Sequence, residues 1–407
     1  MATEKEAADL RARIQSGEPF KDLATQYSVD PSALTGGYIG VVNVVDLSEE
    51  YRAGLSGLQP GQLSAVIKVD EGYALFQRVS EAERHYIRAN ELLGQGKGKE
   101  AVSELEESIR LNPSDSVAHA GLGALLSQQG ESDKAIAEFR EAIRLDPKYS
   151  SARYNLAITL IGKGMSEEAV KEYREAIRVN PDDAEGRHNL GSLLARLNRF
   201  EDAAQEFRAA IRLDPGLAAT HNSLGMVLQD QRKVDEAVVE YREAIRLSPG
   251  MAQAHYNLGT AFRDQGKLDD AIAAYREALE LNSRYAVAYD QLGVALLVQG
   301  KVDAAVASLG DAVRYGPTVA KYHSDLGTAL RAQGKLDSAI ESYREAIQVD
   351  KGYLRARFNL AESLQLKGDR AGAAREFREF IAAVGDAPEA RDMVEKARGI
   401  VAELEKK

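Results

Sequence analysis

A pattern of 34 residues recurs through most of this 407-residue chain, and no other feature restricts its fold as strongly. Leu-Gly or Leu-Ala pairs fall at Leu122-Gly123, Leu156-Ala157, Leu190-Gly191, Leu224-Gly225, Leu258-Gly259, Leu292-Gly293, Leu326-Gly327 and Leu360-Ala361, always 34 residues apart. In the same phase stands an Ala (Ala135, Ala169 and onward to Ala373), followed four residues later by an aromatic or Leu such as Phe139, Tyr173 and Tyr241. Proline closes most repeats, at Pro113, Pro147, Pro181, Pro215, Pro249 and Pro317. One such repeat is too short to bury its own apolar face, so repeats must stack on one another.

Each repeat reads as two helices. The first carries small and apolar residues on one helical face (Leu156, Ala157, Leu160), and the second does the same through Ala169, Tyr173, Ala176 and Ile177. The small residue after each Leu leaves no bulk where two helix backbones approach. The intervening turn usually holds Gly, as at Gly96, Gly130, Gly164, Gly266, Gly300, Gly334 and Gly368, which suits the left-handed backbone that ends a helix; Asn198 and Arg232 fill that slot twice. Asp133, Asp235, Asp269, Asp303 and Asp337 sit where a side-chain oxygen is expected to cap the second helix.

These residues together resemble the tetratricopeptide repeat, over nine repeats spanning 82–387. The resemblance implies a mainly all-α fold, a right-handed superhelical solenoid of antiparallel helix pairs with a concave groove. Residues 388–407 are expected to form a C-terminal solvating helix, whose charged side chains (Arg391, Asp392, Glu395, Lys396) suit the open end of a stack.

Residues 1–81 break the period. Gly-Gly, Pro-Gly and β-branched runs (Val41–Val45, Leu63–Val69, Tyr73–Val79) mark a small α+β unit. Three stretches resemble the parvulin-type peptidyl-prolyl isomerase domain: Ser16-Gly17-Glu18-Pro19-Phe20 running on to Tyr27-Ser28-Val29-Asp30-Pro31, Gly36-Gly37-Tyr38-Ile39-Gly40, and Leu58-Gln59-Pro60-Gly61-Gln62-Leu63-Ser64 followed by Gly72-Tyr73. The resemblance places Asp30 beside the substrate and Leu47 and Tyr51 in its proline pocket. It also exposes departures. The family's first strand, with its histidine, has no counterpart here; its second histidine falls on Ala74, and its acidic residue after Gly-Gly falls on Tyr38. Isomerase activity is therefore not expected of the chain as given, which reads either as starting inside a longer protein or as carrying a degenerate docking piece.

Composition narrows the partners. With 63 acidic against 52 basic residues the net charge is −11, which disfavours a nucleic-acid partner. No apolar run approaches the roughly 20 residues that span a bilayer, and the first residues lack a signal-peptide core. On that reading the chain is cytoplasmic as given, or exported to the periplasm if a signal segment precedes it. Cys is absent, so no disulfide, thiol nucleophile or Cys-ligated zinc is available. Neither a cofactor nor a metal is expected. His85, His119, His221, His255 and His323 recur at one position, yet repeats lie on the order of 10 Å apart, while zinc holds its ligands at about 2 Å. They are expected to serve packing.

The sixth residue of the first helix is expected to face the groove. It is Asn155, Asn189, Ser223, Asn257, Gln291, Asp325 and Asn359 in successive repeats, a row that resembles the asparagine ladder of the O-GlcNAc transferase repeats. An amide both donates and accepts, so it can hold the backbone of a peptide without reading its sequence. Beside it stand Tyr154, His188, Asn222, Tyr256, Asp290, Ser324 and Phe358, a mixture of flat aromatic surfaces and polar groups. Replacing Asn155, Asn189 and Asn257 together by Ala is expected to weaken binding and leave melting nearly unmoved. A clamp for acidic C-termini is not expected, because the second positions (Val117, Ser151, Glu185, Ala219, Gln253, Val287, Lys321, Arg355) become basic only at the end. The expectation is a non-enzymatic scaffold binding an extended or short helical segment of a protein or peptide, with chaperone-like handling of clients. An isomerase with a repeat arm for substrate capture and a self-associating repeat protein are the alternatives.

Overall fold

A computed structural model describes residues 3–28, 49–60, 62–69, 72–385 and 391–406, which divide into two compact units, Met1–Val179 and Asn180–Lys407. The first opens with α1 (Glu4–Gln15), α2 (Phe20–Tyr27), α3 (Glu49–Leu55) and the strands β1 (Ile67–Val69) and β2 (Gly72–Ala74). The strands pair antiparallel, with Ile67 opposite Ala74 and Lys68 opposite Tyr73. A capping box starts α1: the Thr3 hydroxyl accepts from the Glu6 amide at 3.2 Å, and the Glu6 carboxylate accepts from the Thr3 amide at 3.1 Å. Arg11 then ties this helix to the chain entering β1 by donating to the Ser64 carbonyl at 3.0 Å.

Three helix pairs follow in the same unit: α4 (Glu81–Gly94) with α5 (Gly98–Leu111), α6 (Ser116–Gln128) with α7 (Ser132–Leu145), and α8 (Ser150–Gly162) with α9 (Ser166–Val179). The second unit continues with α10 (Ala184–Arg196) and α11 (Phe200–Leu213), α12 (Ala218–Asp230) and α13 (Val234–Leu247), and α14 (Ala252–Asp264) and α15 (Leu268–Leu281). Its last pairs are α16 (Ala286–Val298) with α17 (Val302–Tyr315), α18 (Ala320–Ala332) with α19 (Leu336–Val349), and α20 (Leu354–Lys367) with α21 (Arg370–Val384), closed by α22 (Arg391–Leu404). No described helix is long and apolar enough to cross a membrane.

The turn inside each pair is left-handed. Its Gly residues have φ between +74° and +89°, and among the described residues only Asn198 (φ 58°) and Arg232 (φ 65°) do the same with a side chain. Packing within a pair depends on the residue after Leu. A Cβ added at Gly225 or Gly259 would lie 2.6 Å from the ring of Tyr241 or Tyr275, sixteen residues on, and both rings are buried. The vacated space is thus filled chiefly by a ring from the second helix, where the sequence pointed to backbone against backbone.

The acidic residues expected to cap the second helices are a correction. Asp133, Asp235, Asp269, Asp303 and Asp337 lie one residue inside those helices, and the N-cap positions belong to Glu131, Lys233, Lys267, Lys301 and Lys335. Their carboxylates reach the following repeat instead. Gln265 donates to Asp235 at 2.6 Å, Gln299 to Asp269 at 2.8 Å and Gln333 to Asp303 at 2.6 Å, while Lys163 pairs with Asp133 and Lys367 with Asp337. Within each unit, first helices of neighbouring repeats approach one another more closely than second helices do, which puts the first helices on the inside of the local bend.

Candidate polypeptide-binding face

The sixth residues of the first helices share a register but not an environment. Asn155 is exposed, Asn189 and Asn359 are half-buried, and among the described residues their side-chain amides make no hydrogen bond. Asn257 is only 6% exposed and donates its amide to Asn222, itself 8% exposed, at 2.9 Å. Gln291 accepts from Arg263 and donates to Asp290 at 2.9 Å. Asp325 is buried between Lys321, at 2.7 Å, and Arg355. The row therefore divides into amides that remain available and side chains that join one repeat to the next.

The neighbouring fifth residues are mostly packed. Tyr154 lies 5.8 Å from the Tyr173 ring, and Tyr256 lies 5.9 Å from Tyr275 and 5.3 Å from Tyr285. His188 sits 5.5 Å from the Phe207 ring, with its Nδ1 2.9 Å from the Thr220 hydroxyl, and burial holds its imidazole below the usual histidine range. Phe358 is buried against Phe377 and Phe380 beneath Val394 and Ala397 of α22, with the Lys396 ammonium 5.1 Å from its ring centre.

Asp290, another fifth residue of the row, is joined to the next repeat in a way that its place beside the groove position did not disclose. It is fully buried, pairs with Lys321 and accepts from Gln291, and burial pushes its carboxyl upward against the pull of Lys321. The legible signal was an acid at the fifth position of one repeat with a Lys at the second position of the next. Lys321 and Arg355, the two late cations considered for a carboxylate clamp, are each engaged by these acids. Beside them lies a cavity of about 290 Å³ whose lining includes Arg331, Arg355, Asn359 and Leu297.

The histidine position alternates with arginine and links the two helices of a repeat. His85, His119, Arg153, Arg187, His221 and Arg357 reach Glu104, Glu138, Glu172, Glu206, Glu240 and Glu376 at 2.5–3.1 Å. His119, His255 and His323 also direct Nε2 at the carbonyl of Pro113, Pro249 and Pro317, at 3.2, 3.1 and 2.9 Å. In the N-terminal segment Tyr51, on α3, meets Phe76 edge-on at 5.4 Å between ring centres, while Asp30 and Leu47 lie outside the described residues.

The sequence matches the tetratricopeptide repeat family over residues 86–150, 154–218, 222–286 and 291–353, and again over 354–379. Residues 1–80 match the PPIC-type PPIASE domain. Curated relatives that align with the N-terminal part include Chaperone SurA of Burkholderia lata, 30% identical over 112 residues (26% of this chain, 25% of that one). Chaperone SurA of Thiobacillus denitrificans is 31% identical over 107 residues (25% and 24%). The chain thus spans about a quarter of the length of these relatives. Similar solved structures include YrrB, described as a TPR protein with an unusual peptide-binding site, at 24% identity and TM-score 0.39 over 45% of this chain and 95% of that one. Pseudomonas aeruginosa pilF follows at 20% identity and TM-score 0.47, over 52% and 97%.

Proposed function

The chain belongs to the tetratricopeptide-repeat family and carries a PPIC-type domain ahead of its repeats, and on that premise we propose that the face lined by the first helices holds a segment of another polypeptide. The observation that carries this reading is the set of amides at Asn155, Asn189 and Asn359, which stay accessible and unengaged while their counterparts are used between repeats. Each offers a donor and an acceptor to a peptide backbone. Many such contacts add up to a useful affinity although each contributes only about 0.5–1.5 kcal/mol. The neighbouring PPIC-type segment, with its SurA chaperone relatives, supports handling of non-native chains as the setting in which the face works.

The test is capture of partners by the full chain, mapping of the bound segment, and measurement of its affinity for a variant with Asn155, Asn189 and Asn359 replaced by Ala. Weaker binding with unchanged folding supports the reading, and unchanged affinity removes it. The PPIC match also favours a second reading, in which the repeats deliver substrate to an active isomerase. A proline-isomerisation assay on this chain separates the two. Light scattering over a concentration series distinguishes both from self-association.

A further inference from the structure

We infer that polypeptide docking is concentrated on the first three repeats, and that the segment taken there is apolar and uncharged. This rests on the reading of the first-helix face as a polypeptide-binding face and specifies what it accepts.

The chemistry of that face differs sharply along the chain. Take the second, fifth, sixth, ninth and twelfth residues of each first helix, counting α4 from Ala82, which stands 34 residues before Ser116. On α4, α6 and α8 these positions carry one charged side chain, Glu83, whereas on α16, α18 and α20 they carry Asp290, Lys321, Asp325, Arg331, Arg355 and Glu362. The late charges are engaged with one another or with α22: Asp290 with Lys321, Asp325 with Lys321 and Arg355, Glu362 with Arg331 and Lys396. A ligand arriving there must compete with ion pairs already made.

The early repeats present the opposite situation. Ile158 is 55% exposed, Val117 43% and Leu93 37%, and Ile87 and Ile161 are half-buried beside them. Gly121 takes the place of the row's amide. A Cβ there would lie 3.8 Å from both Leu105 and Tyr86, so its missing side chain leaves a shallow dent floored by those two. Ser127 and Thr159, which could have offered polar groups, hydrogen-bond each other at 3.0 Å. Exposed aliphatic side chains gathered on one face are unfavourable in water and are relieved when an apolar partner covers them.

Charge selects the occupant. A charged segment laid on this floor loses hydration and finds, at the positions compared, no counter-charge beyond Glu83. An uncharged aliphatic or aromatic stretch has no charge to desolvate, and Asn155, exposed one helical turn from Ile158, remains to hold its backbone. The same compact unit contains the PPIC-type domain.

The test uses the full chain and three fluorescein-labelled 14-residue peptides: Ile, Val and Tyr alternating with Ser, and the same peptide with Ser replaced by Glu or by Lys. Anisotropy titrations are expected to show at least tenfold tighter binding of the Ser peptide than of either charged one. Val117→Asp combined with Ile158→Asp should weaken that binding at least tenfold, Ile158→Leu should preserve it, and Arg355→Gln should change it less than twofold. Circular dichroism should show the Val117 and Ile158 variants melting like the parent, because these side chains are exposed. Three results overturn the inference: a preference for a charged peptide, binding indifferent to the two Asp substitutions, or no binding of the Ser peptide. None of these decides the wider reading, which stands or falls on the amide variants and the captured partner.

Discussion

Asn257 on α14 donates its side-chain amide to the side-chain carbonyl of Asn222 on α12, at 2.9 Å, with both residues buried at the seam between two repeats. Position in the repeat suggested a groove ligand, but this amide is a joint. Asn257→Ala leaves the Asn222 oxygen buried without its donor, a loss of about 1–3 kcal/mol. Asn155→Ala, at an exposed site, is expected to stay within about 0.5 kcal/mol of the parent. The triple substitution at Asn155, Asn189 and Asn257 therefore lowers the thermal midpoint, contrary to what the regular row implies. Melting of the single and triple variants by circular dichroism checks this.

Arg232 holds a backbone φ of 65°, where seven repeats of the same array use Gly with φ between 74° and 89°. A left-handed backbone disfavours a residue with a Cβ by about 1–2 kcal/mol. Part of that is offset by the greater freedom of Gly in the unfolded chain, so Arg232→Gly is expected to stabilise by about 0.5–1 kcal/mol. The reverse change, Gly266→Arg, should destabilise by a similar amount. Urea midpoints of the two variants measure the pair of effects.

Lys321 is the cation that neutralises the fully buried Asp290. Lys321→Met leaves that carboxylate without its counter-charge and is expected to destabilise by about 3–5 kcal/mol. Adding Asp290→Asn should restore most of the loss, since the amide needs no cation. A double-mutant cycle by chemical denaturation gives the coupling directly. Additive effects of the two substitutions would show that the ion pair is incidental.

His188 gives the fold a dependence on acidity. Burial depresses its pKa in the folded protein, so the unfolded chain takes up the proton first as pH falls. Its contribution is fully present above the ordinary imidazole value of about 6.5 and declines as pH drops through it, until the folded protein also protonates. His188→Gln should flatten this acid-side decline. Comparing urea midpoints of parent and variant at about pH 7.5 and pH 5.5 reveals the difference, and equal slopes would exclude His188 as its source.

The helix pairs were legible because each structural demand is stated many times over. The Leu-Gly pair, the ring sixteen residues after the Gly and the left-handed turn recur in phase, so a departure such as Arg232 is read as a substitution in a known slot. What a single repeat cannot disclose is its neighbour. Asp235 looks like a helix cap until Gln265, thirty residues on, is placed beside it. Asn155 and Asn257 occupy the same register, but the preceding fifth residue is Ala120 in one case and the partner Asn222 in the other. In the N-terminal segment, which has no repetition to lean on, nothing in the sequence marks the edge-on contact that Tyr51 makes with Phe76.

The carboxylate links from one repeat to the next have a consequence for the length of the array. Asp235, Asp269 and Asp303 each receive a Gln from the repeat that follows. Because donor and acceptor hold fixed places in the 34-residue period, excising or duplicating a whole period between them brings together an Asp and a Gln that fit as well as the originals. Asp269 would meet Gln333 as it now meets Gln299. Lineages of this chain can thus gain or lose whole modules by recombination without redesigning these contacts, whereas the singular joints at Asn222–Asn257 and Asp290–Lys321 mark where such an exchange would be felt.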